Sequence, residues 1–88
     1  MSSFSTSVAI ADSSALFRLG VRNMAGHVRG IQIVGEASTS EDLVGLVRSF
    51  NPQVVIVDFL AEGFDIDVVR KVKVMKPKCR VLACLLYT

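Results

Sequence analysis

The chain alternates between short, dense apolar runs and longer stretches in which apolar residues recur every three to four positions. Val54-Val55-Ile56-Val57, a run of β-branched residues between Pro52-Gln53 and Asp58, predicts a strand buried on both faces, with Asp58 at its carboxyl end. Val8-Ala9-Ile10-Ala11 repeats the arrangement and ends on Asp12. Residues 31–37 predict a more polar strand, nearer a sheet edge, and residues 81–86 a fourth, strongly apolar one. The segments between them carry helical spacing. Phe17, Val21, Met24 and Val28 follow a capping serine, Ser13 or Ser14, and Gly26 and Gly30 bracket the end of that helix. Leu43, Leu46, Val47 and Phe50 follow Ser40, with Glu41 and Asp42 complementing the dipole of the first turn and Asn51-Pro52 stopping the helix. Ile66, Val69, Val72 and Met75 predict the inward face of a third helix that starts near Asp65 and ends at Pro77. Gly20, inside the first helix, predicts close packing against the sheet, because a helical glycine otherwise costs about 1 kcal/mol relative to alanine.

The resulting order, βαβαβαβ, predicts an α/β fold with a parallel sheet and right-handed crossovers. With the strands in the order 2-1-3-4, the first helix lies on one face and the other two on the opposite face. One helix cannot cover four strands, so apolar residues should show beside it and the fourth strand should be an open edge. An acid ending a parallel strand sits where such sheets place their working crevice, so Asp12 and Asp58 are candidates for chemistry, with loop capping the plain alternative.

At 88 residues the chain is one small domain, and 51% hydrophobic against 20% charged residues is apolar for that size, which implies deep burial or an interface. No apolar run approaches the roughly 18 residues of a membrane span, and residues 1–7, serine-rich, read as a disordered tail rather than a signal peptide. A cytoplasmic protein is expected, with no membrane partner. Cys79 and Cys84 read as structural thiols. His27 reads as a surface residue at the end of the first helix, not a metal ligand, because no second histidine accompanies it. The basic run Arg70, Lys71, Lys73, Lys76, Lys78 and Arg80 reads as a solvated face; with a net charge of +2 and no interleaved aromatics, direct nucleic-acid binding by this piece is not expected.

Three segments together carry a family likeness: Ile10-Ala11-Asp12-Ser13-Ser14-Ala15-Leu16-Phe17-Arg18 with Gly20, then Val34-Gly35-Glu36-Ala37, then Pro52 to Asp58. The chain resembles the receiver domain of bacterial two-component response regulators, especially those that precede a LuxR-type helix-turn-helix domain. The likeness spans residues 8–88 as an incomplete receiver-like domain. It implies a flavodoxin-like fold, here (βα)3β, in which the last helix, strand and helix of the family pattern have no counterpart. It also implies a DNA-binding domain following in the full chain.

By that resemblance Asp58 is the phosphoacceptor for a histidine kinase, and Asp12 is the first acid of a pair that holds Mg²⁺ together with Asp58. Ser13 stands where the family has the second acid, which weakens a hard divalent ion's site. The family's hydroxyl at the end of the fourth strand aligns with Leu85, with Thr88 too far along to replace it, and Glu62 puts an extra carboxylate in the loop after Asp58. The reading favoured is therefore a non-enzymatic signalling module with degenerate phosphorylation chemistry, acting through homodimer or partner contacts. A working phosphoacceptor at Asp58 is the second reading. A flavodoxin-like binder of a small ligand is the third, weakened by the absence of a glycine-rich phosphate loop after the first strand.

Overall fold

A computed structural model describes residues 5–58 and 64–83. Its elements run β1 (Thr6–Ala11), α1 (Ala15–Ala25), β2 (Ile31–Ala37), α2 (Ser40–Phe50), β3 (Val54–Val57), α3 (Ile66–Met75) and β4 (Arg80–Ala83). The strands form one parallel sheet in the order β2-β1-β3-β4, so the expected α/β architecture and strand order are borne out. Thr6 and Ser7, read from sequence as the end of a tail, begin β1; Ser7 and Gln53 hold each other's backbone, with Ser7 N donating to Gln53 Oε1 at 2.9 Å and Gln53 N to Ser7 O at 3.0 Å. Residues 1–4 lie outside the described part, as does the end of the predicted fourth strand beyond Ala83.

Each helix starts on a side-chain cap. Ser14 Oγ accepts from Phe17 N at 3.2 Å, Thr39 Oγ1 from Asp42 N at 3.1 Å, and Asp65 Oδ1 from Asp67 N at 3.0 Å and Val68 N at 3.3 Å. Of the two serines expected to cap α1, Ser14 does so. Helix α2 ends on Asn51, whose left-handed φ of 47° turns the chain into Pro52.

The core lies between the sheet and the α2/α3 layer. Ala9, Ala11, Val55 and Val57 point into it from the strands and meet Leu43 and Val47 of α2, Val68 and Val72 of α3, and Phe64 and Cys79 from the connections. Alternation sends Val8 and Ile10 to the other face, where α1 packs on β1 and β2. Ile10 is fully buried there, whereas Val54 and Ile56 are only half-buried and Leu82 is 58% exposed. β3 is thus less covered on this face than its β-branched run predicts; among the described residues α1 packs on β1 and β2, and no helix packs on this face of β3 and β4.

Three helix faces differ from the predicted pattern. In α1, Phe17 and Val21 are half-buried, Met24 is exposed, and Val28 falls beyond the helix end. In α2, Phe50 is exposed at the last turn. In α3 the buried pair is Val68 and Val72, flanked by Val69 and Met75, while Ile66 in the first turn faces water. The glycine prediction also moves. A side chain at Gly20 would meet nothing within 4 Å, so no packing demands that glycine. Gly35 is the one pressed from outside: it follows a bulge in which β2 gains a residue against Val8/Ala9, and a β-carbon there would strike the Leu46 side chain. Gly35→Ala should lower stability by about 1 kcal/mol, because the flexible end of Leu46 has to rotate away; chemical denaturation reads this directly, and an unchanged midpoint would show that Leu46 moves freely.

Candidate functional site

The register Ala11↔Val57 brings the carboxyl ends of β1 and β3 level, so Asp12 and Asp58, the next residue of each, stand side by side. Asp58 N donates to Ala11 O at 3.3 Å and Asp12 N to Ala37 O at 3.0 Å, which ties both acids to the sheet. Asp12 is 2% exposed. Its Oδ1 accepts from Ser14 N at 2.6 Å, the first turn into α1, while its Oδ2 is buried with no donor among the described residues. Burial pushes the Asp12 carboxyl above its ordinary value, and the neighbouring Asp58 pushes it the same way; the Ser14 amide and the Arg18 guanidinium oppose this. A buried carboxylate beside a second one favours a proton or a cation between them.

Ser13, standing beside this pair in sequence, is exposed. Among the described residues no group of three or more His, Cys, Asp and Glu is arranged to hold a metal. The bare Asp12 Oδ2 beside Asp58 nevertheless suits a cation, since Mg²⁺ commonly takes only one or two protein carboxylates and fills its remaining positions with water and phosphate oxygens. Glu62, Leu85 and Thr88, which enter the resemblance, lie outside the described residues, as does Cys84.

Arg18 belongs to the site although sequence reasoning assigned it no part. Its Nη1 donates to the Asp12 carbonyl at 2.5 Å and its Nε to Glu36 Oε1 at 3.2 Å, and Arg22 Nε reaches Glu36 Oε2 at 2.5 Å. The three residues brace α1 against β2 and fix the turn that carries Asp12. Glu36 on β2 faces α1 because the bulge has set it opposite Ile10. The spacing Asp12–Arg18 places the guanidinium one turn into the helix that follows the acid, and that spacing is the signal sequence reading could have used.

Cys79 is a buried free thiol whose pKa is raised by burial, with Lys73 opposing, in keeping with a packing role. His27 is exposed just past the end of α1, where its N–H donates to Met24 O at 3.1 Å. Among the described residues no helix is long and apolar enough to cross a membrane.

Known proteins show what this chain is similar to. The response regulator GacA of Pseudomonas aeruginosa is 32% identical over 76 residues, covering 85% of this chain and 36% of the relative. The chain is a homologue of response-regulator receiver domains. UvrY of Escherichia coli, also a response regulator, is 29% identical over 82 residues, covering 92% of this chain and 38% of its own. Among solved structures, RcsB from Salmonella enterica serovar Typhimurium, bound to promoter rprA in the presence of phosphomimetic BeF3-, superposes with a TM-score of 0.86 at 20% identity, over 96% of this chain and 44% of that one. The signal receiver domain of the NarL response regulator from Mycobacterium tuberculosis gives a TM-score of 0.79 at 24% identity, over 96% of this chain and 68% of that one. These structures show a receiver fold of the flavodoxin-like type. No family model matches the chain. The receiver homologue spans little more than a third of the length of its curated relatives.

Proposed function

We propose that this chain is the regulatory receiver part of a LuxR-type transcriptional regulator, acting mainly through homodimer or partner contacts, with phosphorylation chemistry at Asp58 weakened but not erased. The observation that carries the reading is the Asp12–Asp58 pair: two acids level at the strand ends, one with a buried bare oxygen, and an exposed serine beside them where the family's second acid would stand. Asp12 and Asp58 are the residues that would hold Mg²⁺, which when bound neutralises charge on an incoming phosphoryl group. Asp58 is the carboxylate that would accept that group from a histidine kinase. Asp12 supplies negative charge and Arg18 holds its turn in place; Ser13 offers at most a hydroxyl to a bound water.

Contact surfaces support the first half of the proposal. Leu82 on β4 is 58% exposed, and Leu16 and Leu19 on α1 are 78% and 61% exposed. A second copy or a following domain that covered them would remove this apolar surface from water. The whole regulator would then work in the cytoplasm with DNA contacts made by another domain and not by this one, and this piece itself would catalyse nothing.

Intact mass spectrometry after incubation with acetyl phosphate and Mg²⁺, beside an Asp58→Ala control, tests the chemistry. The expected result is little or no gain of a phosphoryl mass from protein shown to be folded. A full gain that disappears in the control favours the second reading, a working phosphoacceptor. Light scattering across a wide concentration range tests self-association, and a monomer throughout would remove the dimer from the proposal.

A further inference from the structure

The opposite end of the sheet carries a second concave site. At the amino-terminal ends of β3 and β4 lies a cavity of about 760 Å³, lined among others by Asn51, Gln53, Lys76, Lys78 and Arg80. It is four strand residues from Asp58, roughly 13 Å at about 3.3 Å per residue, so it is separate from the acid pair. Among the described residues three cations and no acid line it. The ion pairs of the described residues use Arg18, Arg22 and Arg70; Lys76, Lys78 and Arg80 enter none of them. Like charges gathered around one concavity repel, and an anion between them relieves that repulsion.

The segment that carries these cations is held from several sides. Lys73 Nζ donates to Pro77 O at 2.9 Å and to Cys79 O at 2.6 Å, Cys79 N donates to Lys76 O at 2.9 Å, and Arg80 N donates to Gln53 O at 2.9 Å. Cys79 anchors the middle of the segment in the core. Gln53 uses its Oε1 to accept from Ser7 N, which leaves its Nε2 without a bond among the described residues. The basic run that reads in sequence as a plain solvated face is therefore split: Lys73 braces the backbone, and Lys76, Lys78 and Arg80 surround a cavity.

We propose that this cavity binds a compact oligophosphate anion, of the size of a diphosphate group on a small metabolite. The volume falls within the range of about 300 to 1,000 Å³ that small-molecule sites occupy. Arg80 offers a fork for two phosphate oxygens, and the two lysines add point charges. Among the described residues no aromatic side chain lines the cavity for base stacking, and the charge lies in a concavity rather than along a ridge, so the shape favours a small anion over a nucleic-acid backbone.

Titration of inorganic pyrophosphate into the isotope-labelled chain without Mg²⁺, followed by amide shifts, tests the proposal. Saturable shifts are expected at Gln53 and from Lys76 to Arg80, with none at Asp12 or Asp58. A Lys76→Gln/Lys78→Gln variant should bind roughly tenfold more weakly or worse. Lys71→Gln, a cation outside this cavity, should bind as the parent does. If the double variant does not fold, Lys78→Gln alone, at an exposed position, carries the comparison. No saturation at millimolar pyrophosphate, equal weakening by Lys71→Gln, or tighter binding of a short DNA duplex than of pyrophosphate would each overturn it.

Discussion

Leu43→Ala is expected to destabilise the fold by ~2–5 kcal/mol, the usual range for a buried leucine cut back to alanine. Leu43 is 1% exposed and sits where α2 meets β1, β2 and α3, so the hole it leaves is walled by Ala37, Val47, Val68 and their neighbours. Helices bound by tight caps at both ends cannot slide to fill it; Thr39 and Asn51 pin α2. A chain of this length commands only about 4–13 kcal/mol in total at the usual stability per residue, so the variant should lose a large share of its stability. Urea denaturation followed by circular dichroism gives the difference. A loss below about 1 kcal/mol would mean that α2 is not seated on the sheet as described.

Asp12→Asn should do the reverse. The folded state holds the Asp12 carboxyl above its ordinary value of 3.8, chiefly through burial and then through Asp58. Below that ordinary value the acid is neutral in both states and the two proteins should be equally stable. As pH rises past it, the unfolded chain ionises freely while the folded one resists, so the parent loses stability until the pH has passed the raised folded value. The asparagine cannot ionise, keeps an oxygen for the Ser14 amide, and brings an N–H for Asp58. Its advantage should grow over that pH window and level off once the pH has passed the raised folded value, and it shows as a higher Tm for the asparagine variant. Melting curves from pH 3 to 7.5 measure it. A variant less stable than the parent at neutral pH would mean that the Arg18 guanidinium and the Ser14 amide together stabilise the charged form. The same substitution removes one of two candidate Mg²⁺ ligands, so the gain in stability comes with weaker metal binding, a common trade at such sites.

The two central strands were legible because each announces itself twice, by a β-branched or apolar run and by the acid at its end: Val54 to Asp58 and Val8 to Asp12. The two acids of the candidate site were legible for the same reason. Helix faces were read less well. The stripe Phe17, Val21, Met24, Val28 has ideal spacing, yet a stripe says only that one face is apolar, and how far the sheet extends beneath it is a matter of three-dimensional placement. Gly20 was given a crowding that Gly35 turns out to have, because crowding at Gly35 depends on Leu46, a residue of a helix distant in sequence. Arg18 was passed over since its partners, the Asp12 carbonyl and Glu36, come together only when α1 folds back across β2.

The purely parallel pairing has a consequence for how the chain reaches this state. No two of its described strands can zip together through a tight hairpin; each pairing must wait for an intervening helix's length of chain to close. Such non-local topologies fold slowly relative to helical bundles. As the chain emerges from synthesis, β1 appears first and gains β2 after one helix, but β3 only after two. The segment destined for the deepest burial, Ala9 to Ala11, therefore spends the longest part of its own synthesis with one side unpartnered, and it is there that a chaperone would find its grip.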